Sequence, residues 1–414
     1  MKMGSAVCFS LLSMAVFPLS LHADFWPEFR GPEGNGHAAE ADVPLQWSQR
    51  KNIRWKIKVP GKAWSTPVVA NGRVFVTTAV EDSRELTLQA ASYSLEDGES
   101  EWESEVLSVE PTAMHKKNSQ ASPSPIYEDG KLYVHFSHFG TACLNAENGD
   151  IVWTQTSLPY KPVHGTGGSP VLYKDKLIYS ADGGEDPFIV ALNKSDGSVA
   201  WKTARDVEVQ RTFSFSTPLI IEVNGEPQVI SPASGAVISY NPDTGQEIWR
   251  CRYDEGYSVV PKPLFHNGKI YVCSGFNRAI LLAIKADGKG DVTDTHIAWT
   301  NEKAIPKESS PIIVGNRLYI NDDKGVLSCF DAETGEEIYR ERLDGAGGYS
   351  SSPVFASGHL FFHNGEGITT VVKPGPDFEK VEENDLGEYG LSSFAVVSDG
   401  FLVRTEEHLI RIGK

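Results

Sequence analysis

Leu192-Asn193-Lys194-Ser195-Asp196-Gly197-Ser198-Val199-Ala200-Trp201 is one copy of a pattern that this 414-residue chain repeats. Leu144 to Trp153 and Tyr240 to Trp249 keep the same layout: an Asn, then a Gly, then an aromatic ring four residues after the Gly. Gly98 with Trp102 and Gly335 with Tyr339 keep that last spacing. The Asn or Asp side chain bends the backbone and Gly takes the left-handed conformation, so a third strand turns into a fourth. The aromatic residue then falls at one place per repeat, where a flat ring wedges between neighbouring sheets.

Working outward, each unit begins with a proline and a short apolar run, at Pro67, Pro125, Pro170, Pro218, Pro263, Pro311 and Pro353, with a Pro-less eighth copy at Ser393-Phe394. Hairpin signals follow at Asn71-Gly72, Asp129-Gly130, Asn267-Gly268, Gly315-Asn316 and Asp399-Gly400, because these pairs supply the positive φ of tight turns. A repeat of several short apolar runs matches a four-stranded blade, whereas a helical solenoid would show a 3.6-residue pattern. The expected fold is all-β: an eight-bladed propeller of four-stranded antiparallel blades over residues 52–414. Trp55, Trp102, Trp153, Trp201, Trp249, Trp299 and Tyr339 are read as its blade-docking rings.

The last unit, ending His408-Leu409-Ile410-Arg411-Ile412, has a third strand but no fourth. Asn52 to Ile57 alternates polar and apolar residues around Trp55, so it is expected to complete that blade and close the ring, which removes sheet edges. The unit from Pro353 has no docking Trp, and its outer edge is expected to be irregular. Residues 24–51, with Trp26, Arg30-Gly31-Pro32 and Trp47, carry too much Gly and Pro for regular structure and read as an extension packed on the propeller.

Residues 1–23 read as a signal peptide: Met1-Lys2, an apolar run from Ala6 to Leu21 and the small Ala23. This implies a periplasmic or secreted protein, with no second run long enough to span a membrane. Cys8 lies inside the apolar run and not at a small-residue cleavage site, so no lipid anchor is expected. Cys143, Cys251, Cys273 and Cys329 form neither a C-x-x-C nor an adjacent pair and read as small buried hydrophobes. A net charge of −17 excludes a nucleic-acid partner.

Function belongs on the long, polar connections between blades and after second strands. His115, Lys117, Asn118, His138, His164, Asp182, Arg211, Lys262, Arg278, Lys307 and Tyr349 are the candidate ligand-binding residues on that face. Their basic members, in an acidic chain, point to an anionic small molecule or a peptide carboxylate. Asp287, Asp291 and Asp294 are spaced along one loop as calcium ligands, although Lys289 stands where an EF-hand places an acid. Gly34-Asn35-Gly36 has no preceding strand, and no nucleophile elbow or P-loop occurs, so catalytic residues stay unassigned.

The unit at 192–201, at 240–249 and, with Tyr, at 330–339 resembles the repeat of the pyrroloquinoline-quinone (PQQ)-like propeller superfamily. The start Trp26-Pro27-Glu28-Phe29-Arg30-Gly31-Pro32-Glu33-Gly34-Asn35-Gly36 is similar to that of exported bacterial repeat proteins labelled BamB-like. The resemblance implies the quinoprotein alcohol dehydrogenase-like fold and two roles. One is a binding or scaffolding module for a periplasmic protein, peptide or anionic small molecule. The other is an oxidoreductase with PQQ and calcium in the central funnel. The second would need an aromatic platform, from Trp64, Phe213 or Tyr349, and acids such as Asp182 and Asp322. The chain has no adjacent cysteines to match the vicinal disulfide of quinoprotein dehydrogenases, and their calcium-binding and catalytic residues have no matching motif here.

Overall fold

The Gly-x-x-x-Trp spacing joins neighbouring blades in a computed structural model of the chain, which describes residues 24–414 except 254, 344 and 346. The expected signal peptide lies outside the described residues. Five of the indoles, Trp55, Trp102, Trp153, Trp201 and Trp299, pack on the turn glycine of the next blade. A β-carbon on Gly149 would lie 2.6 Å from Trp102, one on Gly197 2.5 Å from Trp153 and one on Gly245 2.4 Å from Trp201. The indole N–H then donates to a carbonyl of that next blade: Trp55 to Leu95 at 3.1 Å, Trp102 to Ala146 at 3.1 Å, Trp153 to Lys194 at 2.8 Å, Trp201 to Pro242 at 3.0 Å and Trp299 to Ala332 at 3.1 Å. One contact thus buries a large ring and satisfies its only donor.

The strands form eight sheets, six of four strands and two of five. Blade one is Val68–Ala70, Arg73–Asp82, Glu85–Ser94 and Ser100–Val109, paired in sequence order, and the later blades repeat this meander. Ile53–Lys58 pairs antiparallel with His408–Gly413, with Trp55 opposite Arg411, so the ring closes as expected. The apolar core lies between blades; one cluster joins Trp55, Val74 and Tyr93 to Phe401 and Ile410 of the last blade.

Two expectations are corrected. Blade seven has a regular outer strand, Glu379–Asp385, paired along Ile368–Lys373. What it lacks is the ring, and Trp47 of the N-terminal segment supplies one. The Trp47 backbone N–H donates to Asn384 Oδ1 at 2.6 Å, and its indole meets Phe361, Phe394 and Phe401 at 6.1, 6.2 and 5.5 Å. Trp249 departs from the common plan in the other direction. Its N–H donates to Gln228 of its own blade at 2.9 Å, because Gly290–Asp291, inserted in blade five, adds a parallel strand to Glu247–Arg252.

Residues 24–51 run across one end of the axial channel. Trp26 exchanges hydrogen bonds with Val69 of blade one at 2.8 and 2.9 Å, and Pro27 O accepts from the N–H of Tyr127 in blade two at 2.8 Å. Arg30 donates to Pro311 O of blade six at 2.9 Å, and His37–Ala38 pairs parallel with blade seven. The Asp42 N–H reaches Ser398 O of blade eight at 2.7 Å. The segment has no repeat of its own; its backbone bonds to four blades, and the Arg30 side chain reaches a fifth.

Candidate funnel on the long-loop face

The residue before each proline faces the axis. Its backbone N–H donates to the hydroxyl oxygen at the same position in the next blade: Thr66 to Ser124 at 2.9 Å, Ser124 to Ser169 at 2.9 Å and Ser169 to Thr217 at 2.9 Å. Ser310 to Ser352 at 3.1 Å and Ser352 to Ser393 at 2.9 Å continue the ring. Blade five carries Lys262 instead. Its N–H still reaches Ser310 Oγ at 3.0 Å, while its ammonium turns to Glu28 of the N-terminal segment at 3.7 Å. Sequence analysis read these Ser/Thr-Pro pairs as strand starts; their recurrence at one repeat position was the signal that they share an axis.

The hydroxyl ring lines a cavity of about 520 Å³ whose floor includes Phe29. Five candidate residues, His115, Lys117, Asn118, His164 and Arg211, line it as well. Asn118 donates to His164 O at 2.8 Å and Thr166 O at 2.7 Å, tying the connections before blades two and three together. The His115 and His164 rings meet edge to face at 5.7 Å, and His164 meets Phe213 at 5.1 Å. Burial, then the neighbouring His115, holds the His164 imidazole below the ordinary histidine range. The Arg211 guanidinium lies 4.4 Å from the centre of the Tyr257 ring, and the Lys307 ammonium 5.1 Å from that of Phe276.

The opposite wall carries acids that sequence analysis missed. Lys117 pairs with Glu308 at 3.1 Å, and Glu308 also accepts from Ser350. Lys117 precedes blade two and Glu308 precedes blade six, four blades apart in a ring of eight, so this pair spans the mouth. Asp323 accepts the Lys307 N–H at 3.0 Å, yet burial raises its carboxyl above the usual range. Trp64, the one proposed platform residue in the cavity wall, packs edge to face on Tyr389 at 5.7 Å, and Phe215, Tyr257 and Phe276 also line the cavity.

The remaining candidates lie elsewhere. His138 bonds Thr112 at 3.1 Å and stacks on Phe139, and burial pushes its imidazole down to about 4. Asp182 is buried in a two-pronged pair with Arg205 at 2.8 and 3.0 Å. Lys262 is buried below the hydroxyl ring, Arg278 is exposed and paired with Glu302, and Tyr349 is fully buried between blades six and seven. Phe213 packs behind His164, and Asp322 caps its own turn by accepting from the Lys324 and Val326 N–H groups at 2.9 and 2.8 Å.

The three loop aspartates do not converge on a common point. Asp291 is taken by Arg252 at 2.9 Å and by Thr293, while Asp287 faces His296 at 3.7 Å. Among the described residues no three metal-holding side chains are grouped, in this loop or in the funnel. The funnel's Glu308 and Asp323 are already engaged, and Cys143, Cys251, Cys273 and Cys329 are separate buried thiols. This donor set does not fit a calcium-held quinone, although the basic and aromatic wall suits an organic anion.

Fold and funnel together define a propeller of the PQQ-like repeat class. The chain belongs to the family whose model is described as outer membrane protein assembly factor BamB, which it matches over residues 45–159, 113–309 and 291–374. It is 22% identical over 249 residues to the BamB of Yersinia pestis, covering 58% of this chain and 58% of that one. It is 29% identical over 226 residues to a quinoprotein ethanol dehydrogenase of Pseudomonas aeruginosa, covering 48% of this chain and 33% of that one. The match therefore spans little more than half of the first relative and a third of the second. Among solved structures, quinohemoprotein alcohol dehydrogenase from Comamonas testosteroni superposes with a TM-score of 0.64 at 12% identity, over 94% of this chain and 80% of that one, a likeness of fold.

Proposed function

We propose that this protein is an exported binding and scaffolding propeller that receives a partner on its long-loop face and seats one of the partner's polar groups in the axial funnel. The observation that carries this reading is the funnel itself: bordered by the long loops, lined by Phe29 of the N-terminal segment, and walled by positioned polar and aromatic groups. The likeness to a protein named as an assembly factor supports it. The test is a photo-crosslinking residue placed at His115 on the long-loop face or at Asn316 in a tight turn on the other face. Exposed to a periplasmic extract, the first is expected to give discrete adducts and the second none. Equal labelling from both faces would overturn the reading.

A second reading, a PQQ- and calcium-dependent oxidoreductase, is favoured by the identity to the Pseudomonas aeruginosa dehydrogenase. A ligand that binds only the native state raises the melting midpoint. A rise that requires PQQ and calcium together would establish the second reading, and the donor set of the funnel leads us to expect none.

A further inference from the structure

The hydroxyl ring leaves a surplus of donors. Ser124, Ser169, Thr217 and Ser393 each accept a neighbour's N–H, and none of their own O–H groups has an acceptor among the described residues. A hydroxyl has one proton to give and two lone pairs to fill, so two of each group's three hydrogen-bonding sites are left for the cavity. Above the ring, Arg211 has neither hydrogen bond nor ion pair among the described residues; its guanidinium lies over the face of Tyr257 and near enough to His164 to disfavour that imidazole's charge. The Lys307 ammonium, over Phe276, likewise has neither hydrogen bond nor ion pair among the described residues, while its backbone N–H is held by Asp323. Beside Lys307 stand Glu308, held by Lys117 and Ser350, and Asp323, which accepts the Lys307 N–H; each carboxylate keeps lone pairs beyond those bonds. Phe29, Trp64 and Phe215 add flat apolar surface.

These walls make four demands of one occupant: a negative charge for Arg211, acceptors for the hydroxyl ring, O–H donors for the two carboxylates and an apolar face for the rings. A polycarboxylate meets the first two but brings like charge against Glu308 and Asp323. A neutral sugar leaves Arg211 without counter-charge, and a plain aromatic acid brings no donors. A hydroxylated monocarboxylic acid with a ring meets all four. Resting on the reading of the funnel as a binding site, we propose that it binds a uronic acid, free or as the end residue of an acidic glycan. The carboxylate lies on Arg211 beside His115 and His164, the hydroxyls bridge the Ser/Thr ring and the acids, and the C–H face lies on the aromatic surface. A cavity of about 520 Å³ has room for a sugar ring and the residue next to it in a glycan.

Titration calorimetry of the mature chain with sodium glucuronate, glucose, citrate and a diglucuronide tests this. Glucuronate is expected to bind at least tenfold more tightly than glucose or citrate. Arg211→Gln and, separately, Asp323→Asn are expected to weaken it about tenfold or more, with the ligand-free melting midpoint of Arg211→Gln unchanged. Tighter binding of the diglucuronide identifies a glycan end as the source, and equal binding identifies the free acid. Glucuronate binding no better than glucose, or binding that Arg211→Gln leaves intact, would overturn the proposal. Discrete adducts from His115 alongside that result would leave the binding propeller standing without its sugar-acid ligand.

Discussion

Gly197 lies under the Trp153 indole at a φ of +72°, so a methyl group added there meets both a strained backbone and a ring 2.5 Å away. Gly268, at +73°, has open space around it. Gly197→Ala is therefore expected to cost about 2 kcal/mol more than Gly268→Ala, which pays for backbone strain alone, at about 1 kcal/mol. Urea unfolding of the two variants checks this, and equal losses would refute the packing argument. Buried histidines lower stability in acid, His135 and His363 among them. His135 and His363 end the second strands of blades two and seven, each bonded to a threonine hydroxyl at 2.8 and 2.9 Å, and burial pushes them to about 3 and about 4. In the unfolded chain they titrate near 6.5. Below that value the unfolded state binds more protons, so stability is full above pH 6.5 and declines as the pH falls toward about 4. Each contributes a loss on the order of 2 kcal/mol at pH 5. His135→Gln should flatten the dependence of the melting midpoint on pH between 7 and 5; an unchanged slope would contradict this. The docking rings were legible in the sequence because a spacing repeats. His138, Asp182 and Tyr349 were misplaced because a loop's composition does not say which way a side chain points. Tyr349 buries its ring in the core, and Asp182 finds Arg205 just past the blade's outer strand Val199–Ala204.

The N-terminal segment shows what periodicity leaves out. Its Gly and Pro content announced irregular structure, but its path depends on a channel that exists only once eight blades have assembled, so no local pattern encodes it. Trp26 is 1% exposed and Arg30 2% exposed, and with no carboxylate at hand burial lowers the Arg30 guanidinium to about 9. At the same end burial raises the Glu28 carboxyl and lowers the Lys262 ammonium, and their pairing opposes both shifts. Lys262→Ala would leave Glu28 largely buried without its partner, at a cost of about 3 kcal/mol. Lys262→Ser with Glu28→Gln removes both charges and restores the hydroxyl found in the other blades, so the double variant should recover most of that loss. Melting of the single and double variants decides it: a double variant no more stable than Lys262→Ala would show that the pair is not the cause. The inserted loop of blade five follows the same logic. Its aspartates suggested calcium, but they cap turns and pair with Arg252 while Gly290–Asp291 extends the sheet over Trp249.

Closure is a property of the whole ring, because blade eight is built from both ends of the described chain: Ile53–Lys58 completes the sheet of residues 395–413. Blades in a repeat array are stabilised by their own pairing and by their two neighbours. In a closed ring no blade is terminal, so fraying has no place to begin until one interface fails. Trp55 and Trp153 are buried alike, at 9% and 8% exposure, and each makes the same indole contact with the next blade. Truncating either to Ala should therefore cost a similar amount, about 3–5 kcal/mol. The consequences differ in where the structure opens. Trp153→Ala loosens an interface inside the chain, with closure still held by the terminal strand. Trp55→Ala weakens the strand that makes the ring a ring, turning blades eight and one into free ends of an arc. Amide hydrogen exchange is then expected to accelerate over residues 53–58, 68–109 and 395–413 in Trp55→Ala, with residues 219–301 across the ring still protected. Trp153→Ala should accelerate only residues 126–204. Uniform loss of protection in both variants would mean that the propeller opens as one unit and that closure confers no special protection on the blades it joins.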